Sequence, residues 1–442
     1  MLTRSARRLL GRTCSIAKYQ NEDFSKFVDN SGAHHSHRKG PALTELCKFT
    51  GLDGECSGFQ NDILKRGISC GHRVFSTTGF RVLDPLQQGM SEMMADLAPL
   101  PSDIRYEDLV ITRSKHLQVK PKLDATTLKF GAVYSDHMLQ ASWKDGLGWT
   151  APSIDPLGPI SLHPCAQVLH YAVECFEGMK CYKGKDGRLR LFRPDMNMDR
   201  LARSAARLTL PHFDKVELLE CIKELLRVER DWVPDKEGFS VYIRPTMIGT
   251  HPFLGVGPTR EALLFVVLSP VLFVLQDGNS TGGLVGESGS MNMFFLIRQE
   301  GKDGDLELVT PPLDGLILPG VTRDTVLTLA RGFGGMKVSE RPLRFDELER
   351  AAETGRLLEV FGTGTACMIQ PVMGLVKKDH TEIAIPFNEE AAKYWLAKPP
   401  GIAALPDLSG GEPFSLCGRL SRALLDVQYG YIDSQWSIMV DP

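Results

Sequence analysis

The stretch "LPGVTRDTVLTLA", residues 318–330, sets Gly320 just ahead of an amphipathic run that opens at Val321. A helix starting there turns the unpaired amides of Val321 and Thr322 outward, and such an end receives an anion. In "FGTGTA", Gly362, Thr363, Gly364, Thr365 and Ala366 form a turn of amides and hydroxyls, a second anion nest. Arg200 lies in "NMDRLARSAARLTLP" and brings a guanidinium fork that suits phosphate. "FEGMK" puts Phe176 beside a tight backbone at Gly178, and "VYIRP" puts Tyr242 and Arg244 on one strand face, where they can grip a small acid. "GESGSMN" sets Glu287 and Ser290 among glycines, with the acid placed to orient a heterocycle nitrogen. Each feature alone has an ordinary reading: a turn glycine, a solvated arginine, a core tyrosine, an exposed turn acid. Together they describe a bound phosphate or carboxylate beside an aromatic wall.

The elements that position these residues are legible from periodicity. Strands are predicted as a pair in "LKFGAVYSDHMLQASW", then in "FSVYIRPTMIG", "ALLFVVLSPV", "SMNMFFLIRQ" and "DLELVTP", and as one strand in "LLEVFGTGTACMIQPVMGLV". "QVLHYAVECFEG" is predicted as a helix ending near Gly178, followed by a hairpin turning at Gly184 to Gly187. Another helix should run to Pro211. In "FDKVELLECIKELLRVERDWVP", Asp214 with Glu217 makes a capping pair and Leu218, Leu219, Ile222, Leu225 and Leu226 form one stripe. Further helices are expected from "GVTRDTVLTLARGFG", "FDELERAAETG" and "GRLSRALLDVQYG", with "KPPGIAALPDLSGGEPF" as a surface loop. Mixed blocks without a repeating βαβ period indicate an α+β fold.

The 442 residues exceed the usual size of one domain. Hydrophobic residues make up 43% and charged residues 24%, enough for a sizeable core. A net charge of -3 gives no electrostatic reason to expect nucleic acid or a membrane surface as a partner. The longest apolar run, Leu263 to Leu275, is interrupted by Ser269-Pro270 and is too short to span a bilayer. Ten cysteines without a Cys-x-x-Cys pair read as reduced thiols, with no zinc spacing. His34, His35 and His37 cluster, but without carboxylates beside them they read as a solvated loop, so no metal site is expected.

"MLTRSARRLLGRTCSIAKYQ" carries Arg4, Arg7, Arg8 and Arg12 opposite Leu2, Ala6, Leu9 and Leu10, with no acid before Glu22. That is the composition of an organelle transit peptide, mitochondrial in the first instance, with plastid or cytoplasmic location as alternatives.

With these segments in hand, the chain resembles the branched-chain amino acid aminotransferases, class IV (fold-type IV) pyridoxal-phosphate enzymes. The resemblance rests on "FGAVYSDHML", "LHPCAQVLHYAVECFEGMKCYKGKDGRLRLFRPDMNMDRLARSAARLTLP", "YIRPTMIGTHPFLGV", "TPPLDGLILPGVTRD", "EVFGTGTAC" and "DVQYG", in the family's order across most of residues 103–442. It implies the two-domain architecture of that fold type: an extension over 1–100, a small α/β domain over 101–271, and a larger cofactor-binding domain over 272–442. It implies pyridoxal 5'-phosphate as cofactor, leucine, isoleucine, valine and 2-oxo acids as substrates, and a homodimer.

Position by position, Arg200 matches the arginine that holds the cofactor phosphate. Gly320, Val321, Thr322, Thr363 and Thr365 match the surrounding phosphate cradle. Glu287, with Ser290 beside it, matches the acid at the pyridine nitrogen, and Leu318 the residue packed on the ring. Phe130, Tyr171, Phe176, Tyr242 and Arg244 match the substrate pocket wall, and Thr365 and Ala366 the backbone donors to the substrate carboxylate.

Two departures stand out. Where some animal members have Cys-x-x-Cys, this chain reads Cys367-Met368-Ile369-Gln370, so a thiol switch there is not expected. In the family, several dozen residues separate the strand matching "LLFVVLSPV" from the segment matching "LFVLQDGNSTGGLVGE". They carry the first strands of the larger domain and the lysine that binds the cofactor covalently. Here Val271 runs straight into Leu272, and no lysine occurs between Lys236 and Lys302. No catalytic residue is therefore assigned; Lys180, the nearest lysine by motif, matches the pocket's outer framework. Loss of those strands should strip neighbours of ladder partners. The expectation is an aminotransferase impaired by a skipped segment, with a non-catalytic cofactor-binding or partner subunit as the alternative.

Overall fold

A computed structural model describes residues 103–121, 130–272, 285–301, 305–376, 382–404 and 413–441. The basic extension, the histidine cluster and Cys14, Cys47, Cys56 and Cys70 lie outside the described residues.

Two sheets, each backed by helices, organise the fold. The first joins β1 (Val110–Ile111), β2 (His137–Lys144), β3 (Gly148–Trp149), β4 (Ser153–Pro156), β5 (Glu174–Phe176), β6 (Met179–Lys183), β7 (Leu189–Phe192), β8 (Phe239–Gly249), β9 (Glu261–Leu272) and a late strand, Ser437–Met439. Its main path is β1-β4-β2-β9-β8-β6-β7 and then the late strand, with β3 on β2 and β5 on β8. The central pair β8–β9 is antiparallel from Phe239↔Leu272 to Gly249↔Ala262. These runs are rich in β-branched and aromatic residues, which fit a pleated surface covered on both faces. Val271 and Leu272 simply complete β9.

The second sheet holds β10 (Glu287–Ser288), β11 (Met291–Arg298), β12 (Leu306–Thr310), β13 (Lys337–Glu340), β14 (Leu357–Gly364) and β15 (Met368–Pro371), in the order β13-β12-β11-β14-β15 with β10 on β11. A small pair, β16 (Gly374–Val376) and β17 (Glu382–Ala384), stands apart. The late strand is accordingly β18.

The helices follow their apolar faces. Among the described residues they are α1 (Gln167–Tyr171), α2 (Pro194–Arg207), α3 (Lys215–Val228), α4 (Val321–Phe333), α5 (Phe345–Glu353), α6 (Glu389–Leu396) and α7 (Leu416–Gln428). On α3, Leu218, Ile222, Leu225 and Leu226 are buried with Leu139, Val241 and Leu264 of the first sheet. On α4, Val326, Leu327, Ala330 and Phe333 pack with Phe294, Phe361 and Leu424. The start of α7 is anchored by the buried Glu359 carboxylate, which accepts the amides of Leu416 (3.1 Å) and Cys417 (2.8 Å). Those are two of the four donors a helix start leaves unpaired.

Several expectations need correction. The helix predicted up to Gly178 is one short turn. Ala172 takes a left-handed backbone (φ 49°), after which Glu174–Phe176 pairs with β8. The second helix ends at Arg207, before left-handed Thr209, rather than at Pro211. Asp214 does cap α3, accepting Val216 N and Glu217 N. Glu217, however, accepts the Tyr106 amide (2.6 Å) instead of closing a capping box. The described part of "LKFGAVYSDHMLQASW" holds one strand, and "LLEVFGTGTACMIQPVMGLV" folds into three strands around a hairpin. The loop "KPPGIAALPDLSGGEPF" contributes buried Ala403 to the core. Among the described residues, no helix is long and apolar enough to cross a membrane, and no three metal-ligating side chains cluster.

Candidate active site

Arg200 is fixed by an ion pair that its own neighbourhood builds. It projects from α2 and is nine-tenths buried. Its Nε and Nη2 donate to the two Glu177 carboxylate oxygens at 2.5 and 2.8 Å, and Nη1 donates to the Pro319 carbonyl at 3.2 Å. Three of the five guanidinium N–H groups are thereby committed, and two remain for a ligand. Glu177, 3% exposed, also accepts from Asn197 Nδ2 (2.8 Å) and the Gly178 amide (3.2 Å). Pro319 immediately precedes Gly320, so this arginine is drawn to the opening of α4.

Gly320 has no side-chain cap of its own, and the Val321 and Thr322 backbone begins the helix directly after it. A Cβ at Gly320 would overlap the Asn292 amide oxygen. Only glycine lets the Asn292 side chain come this close to the helix start, where the Val321 and Thr322 amides begin the helix.

Glu287 lies in β10, beside the same opening. Its Oε1 accepts the Leu318 amide (2.6 Å) and Asn292 Nδ2 (2.8 Å), and Asn292 Nδ2 also donates to the Leu318 carbonyl (2.9 Å). Burial pushes the Glu287 carboxyl above the usual carboxylate range; its two hydrogen bonds and the charge of Arg200 act against that rise. Leu318 itself is about half exposed, and Ser290 is exposed in the turn between β10 and β11.

The aromatic wall is contiguous. Phe130 meets Tyr242 edge-on with ring centroids 5.0 Å apart, Arg244 Nη2 donates to the Tyr242 hydroxyl (2.9 Å), and the Arg244 guanidinium stacks 4.2 Å over Phe176. Gly178 permits this closeness, because a Cβ there would overlap the Tyr242 hydroxyl. Tyr171 is not drawn into the cluster; its hydroxyl donates to the Leu254 carbonyl.

In "FGTGTA" the structure differs from the expected nest. Gly362, Thr363 and Gly364 are strand residues of β14; Thr363 is 1% exposed and its hydroxyl donates to the Asn292 carbonyl (3.4 Å). Thr365, Ala366 and Cys367 form the hairpin turn, closed by the Gly364↔Met368 pair. Lys180, from β6, donates to the Ala366 carbonyl at 3.0 Å and so ties the turn to the first sheet.

Sequence reasoning missed Asn292, which orients Glu287, and the clamp that Glu177, itself held by Asn197, places on Arg200. A polar residue inside the apolar run "MNMFF" was the available signal for Asn292. The six described cysteines are all free thiols, Cys367 among them.

The model of the family Amino-transferase class IV matches residues 270–374, which sets the class. The cytosolic branched-chain-amino-acid aminotransferase of Ovis aries is 42% identical, covering 76% of this chain and 94% of its own length. The mitochondrial enzyme of Rattus norvegicus is 42% identical over 77% of this chain and 93% of its own. The Monosiga brevicollis branched-chain-amino-acid aminotransferase is 38% identical over 73% and 90%. A crystal structure of the Escherichia coli enzyme superposes with a TM-score of 0.47 at 22% identity, over 69% of this chain and 99% of that one. The chain belongs to the branched-chain-amino-acid aminotransferases.

Proposed function

We propose that the opening of α4 holds pyridoxal 5'-phosphate and that the aromatic wall receives leucine, isoleucine, valine or the corresponding 2-oxo acid. The observation that carries this reading is Arg200, pinned by Glu177 and the Pro319 carbonyl, with two N–H groups left over beside a helix start that has no side-chain cap. Arg200, the Val321 and Thr322 amides and the Thr365 hydroxyl hold the phosphate, while Thr363 supports the cradle from the strand behind. Glu287 offers its uncommitted oxygen to a ring N–H, and Leu318 packs on the ring. Bound pyridoxal phosphate supplies an electron sink for the bonds at the Cα of an amino acid. Phe130, Phe176 and Tyr242 exclude water from an aliphatic side chain, and Arg244 pairs with an acidic one. Thr365 and Ala366 give backbone donors to the carboxylate.

The reading includes a gap. The alignment to the Ovis aries enzyme runs over 387 positions but uses 76% of 442 residues, about 336, so about fifty of its positions meet no residue here. The Rattus norvegicus mitochondrial alignment, 390 positions using 77% of the chain, supports the same size. We place the gap at Val271–Leu272, which removes the covalent lysine. Proton transfer by a positioned base is worth about 10²–10⁴-fold, so turnover should fall at least that far. The two domains then meet where β9 ends, the basic extension directs the chain to mitochondria, and exposed Phe253, Leu254 and Val256 support a homodimer.

Equilibrium dialysis with pyridoxal phosphate tests the cradle: the chain binds it in competition with inorganic phosphate, and Arg200→Leu abolishes retention. Borohydride followed by peptide mass mapping tests the gap. Cofactor fixed to any lysine would end the claim that the covalent anchor is missing.

A further inference from the structure

Lys180 is a charged residue flanked by Met179 and Cys181 inside β6, and it is 2% exposed. Burying an amine is costly unless it is held, and it donates to the Ala366 carbonyl, 186 residues away in sequence. In register it lies opposite Tyr242, so its side chain leaves β6 on the face that carries Tyr242 and Arg244. The turn it grips is constrained at its far end as well. Met368 closes the hairpin with φ 56°, a left-handed backbone that a methionine keeps only where surroundings enforce it.

We propose that Lys180 is a positioning residue for carboxylate recognition: it holds the 365–367 turn through the Ala366 carbonyl and sets a positive charge behind the amides that face the bound acid. The inference rests on the pocket reading above and deepens it. The titratable group that acts on the amine is the Cys367 thiol on the turn, while Tyr242 and Arg244 share its sheet face from β8. Desolvation holds Lys180 down at about 7, and the Cys367 thiol, pushed up to about 11 by its own burial, stays neutral there. The amine therefore changes charge within the range where proteins are handled.

Calorimetric titration of the full chain with 4-methylpentanoate, a branched carboxylate of leucine's size that is ionised throughout, tests this at pH 6 and pH 8.5. The expected result is affinity about tenfold weaker at the higher pH, because the neutral amine still donates to the Ala366 carbonyl but no longer sets a charge behind the amides. Lys180→Met should bind about tenfold more weakly at pH 6 and show no pH dependence. Should that variant fail to fold, the parent profile alone decides, and Met368→Gly, which relaxes the turn without touching the amine, should keep it. A parent that binds with a flat profile, or Lys180→Met binding as tightly as the parent at pH 6, overturns the role of Lys180 alone. A parent that does not bind at either pH overturns the pocket reading with it.

Discussion

Glu177→Gln isolates the electrostatics of the cradle, because it preserves shape while removing one charge. In the parent, Glu177 receives four donors: Arg200 Nε and Nη2, Asn197 Nδ2 and the Gly178 amide. A glutamine keeps one acceptor oxygen, so its NH₂ must face at least one of those donors, and Arg200 keeps a buried charge without a counterion. Removing one partner of a buried pair costs about 3–5 kcal/mol, and the donor clash argues for the upper half of that range. Against a native margin of about 5–15 kcal/mol, the variant should stay folded but marginal. Urea denaturation at constant slope reads the difference directly. An anion in the cradle replaces the lost charge. Saturation with inorganic phosphate at a hundred times its dissociation constant should return about 2.7 kcal/mol, more than the parent gains at the same concentration. A Glu177→Gln chain within about 1 kcal/mol of the parent, the size of a neutral hydrogen bond, would refute the idea that this pair sets the arginine.

Lys180 also makes stability depend on pH. Its folded value, about 7, lies below the ordinary lysine value of about 10.4, so between those limits the unfolded chain carries a proton the folded chain does not. Stability attributable to Lys180 therefore rises with pH from 7 toward 10.4, by roughly 5 kcal/mol at most, and Lys180→Met should lose that slope in denaturation curves. Gly320→Ala should force the Asn292 side chain aside, destabilise by about 1–3 kcal/mol and abolish phosphate retention in dialysis.

What was legible in the sequence is what depends on neighbours along the chain. Asp214 announces α3 because its carboxylate caps amides two and three residues on. Gly320 announces α4 because a small residue before an apolar repeat marks a helix start. Tyr242 and Arg244 share a face by simple alternation. The misreadings arose where tertiary pairing decides. "HYAVECFEG" has helical spacing, yet Glu174, Cys175 and Phe176 pair with β8, and the sheet outcompetes the helix past Ala172. Thr363 reads as part of an exposed turn, but β11 claims it through the Asn292↔Thr363 pair. Glu177, Lys180 and the reach of Asn292 to Leu318 were opaque for the same reason: each partner lies remote in sequence, and nothing local predicts it.

Order of synthesis follows from where β18 pairs. Ser437–Met439 completes the edge of β7 at Arg190–Phe192, Arg227 donates to the Val440 carbonyl, and Arg230 pairs with Asp441. A ribosome must emit more than two hundred residues after β7 before that edge finds its partner, so the first sheet stays open through most of translation. Such distant pairing slows folding and leaves a ladder exposed to other chains in the interval. The newborn chain is thus most in need of chaperones while its first half already looks complete.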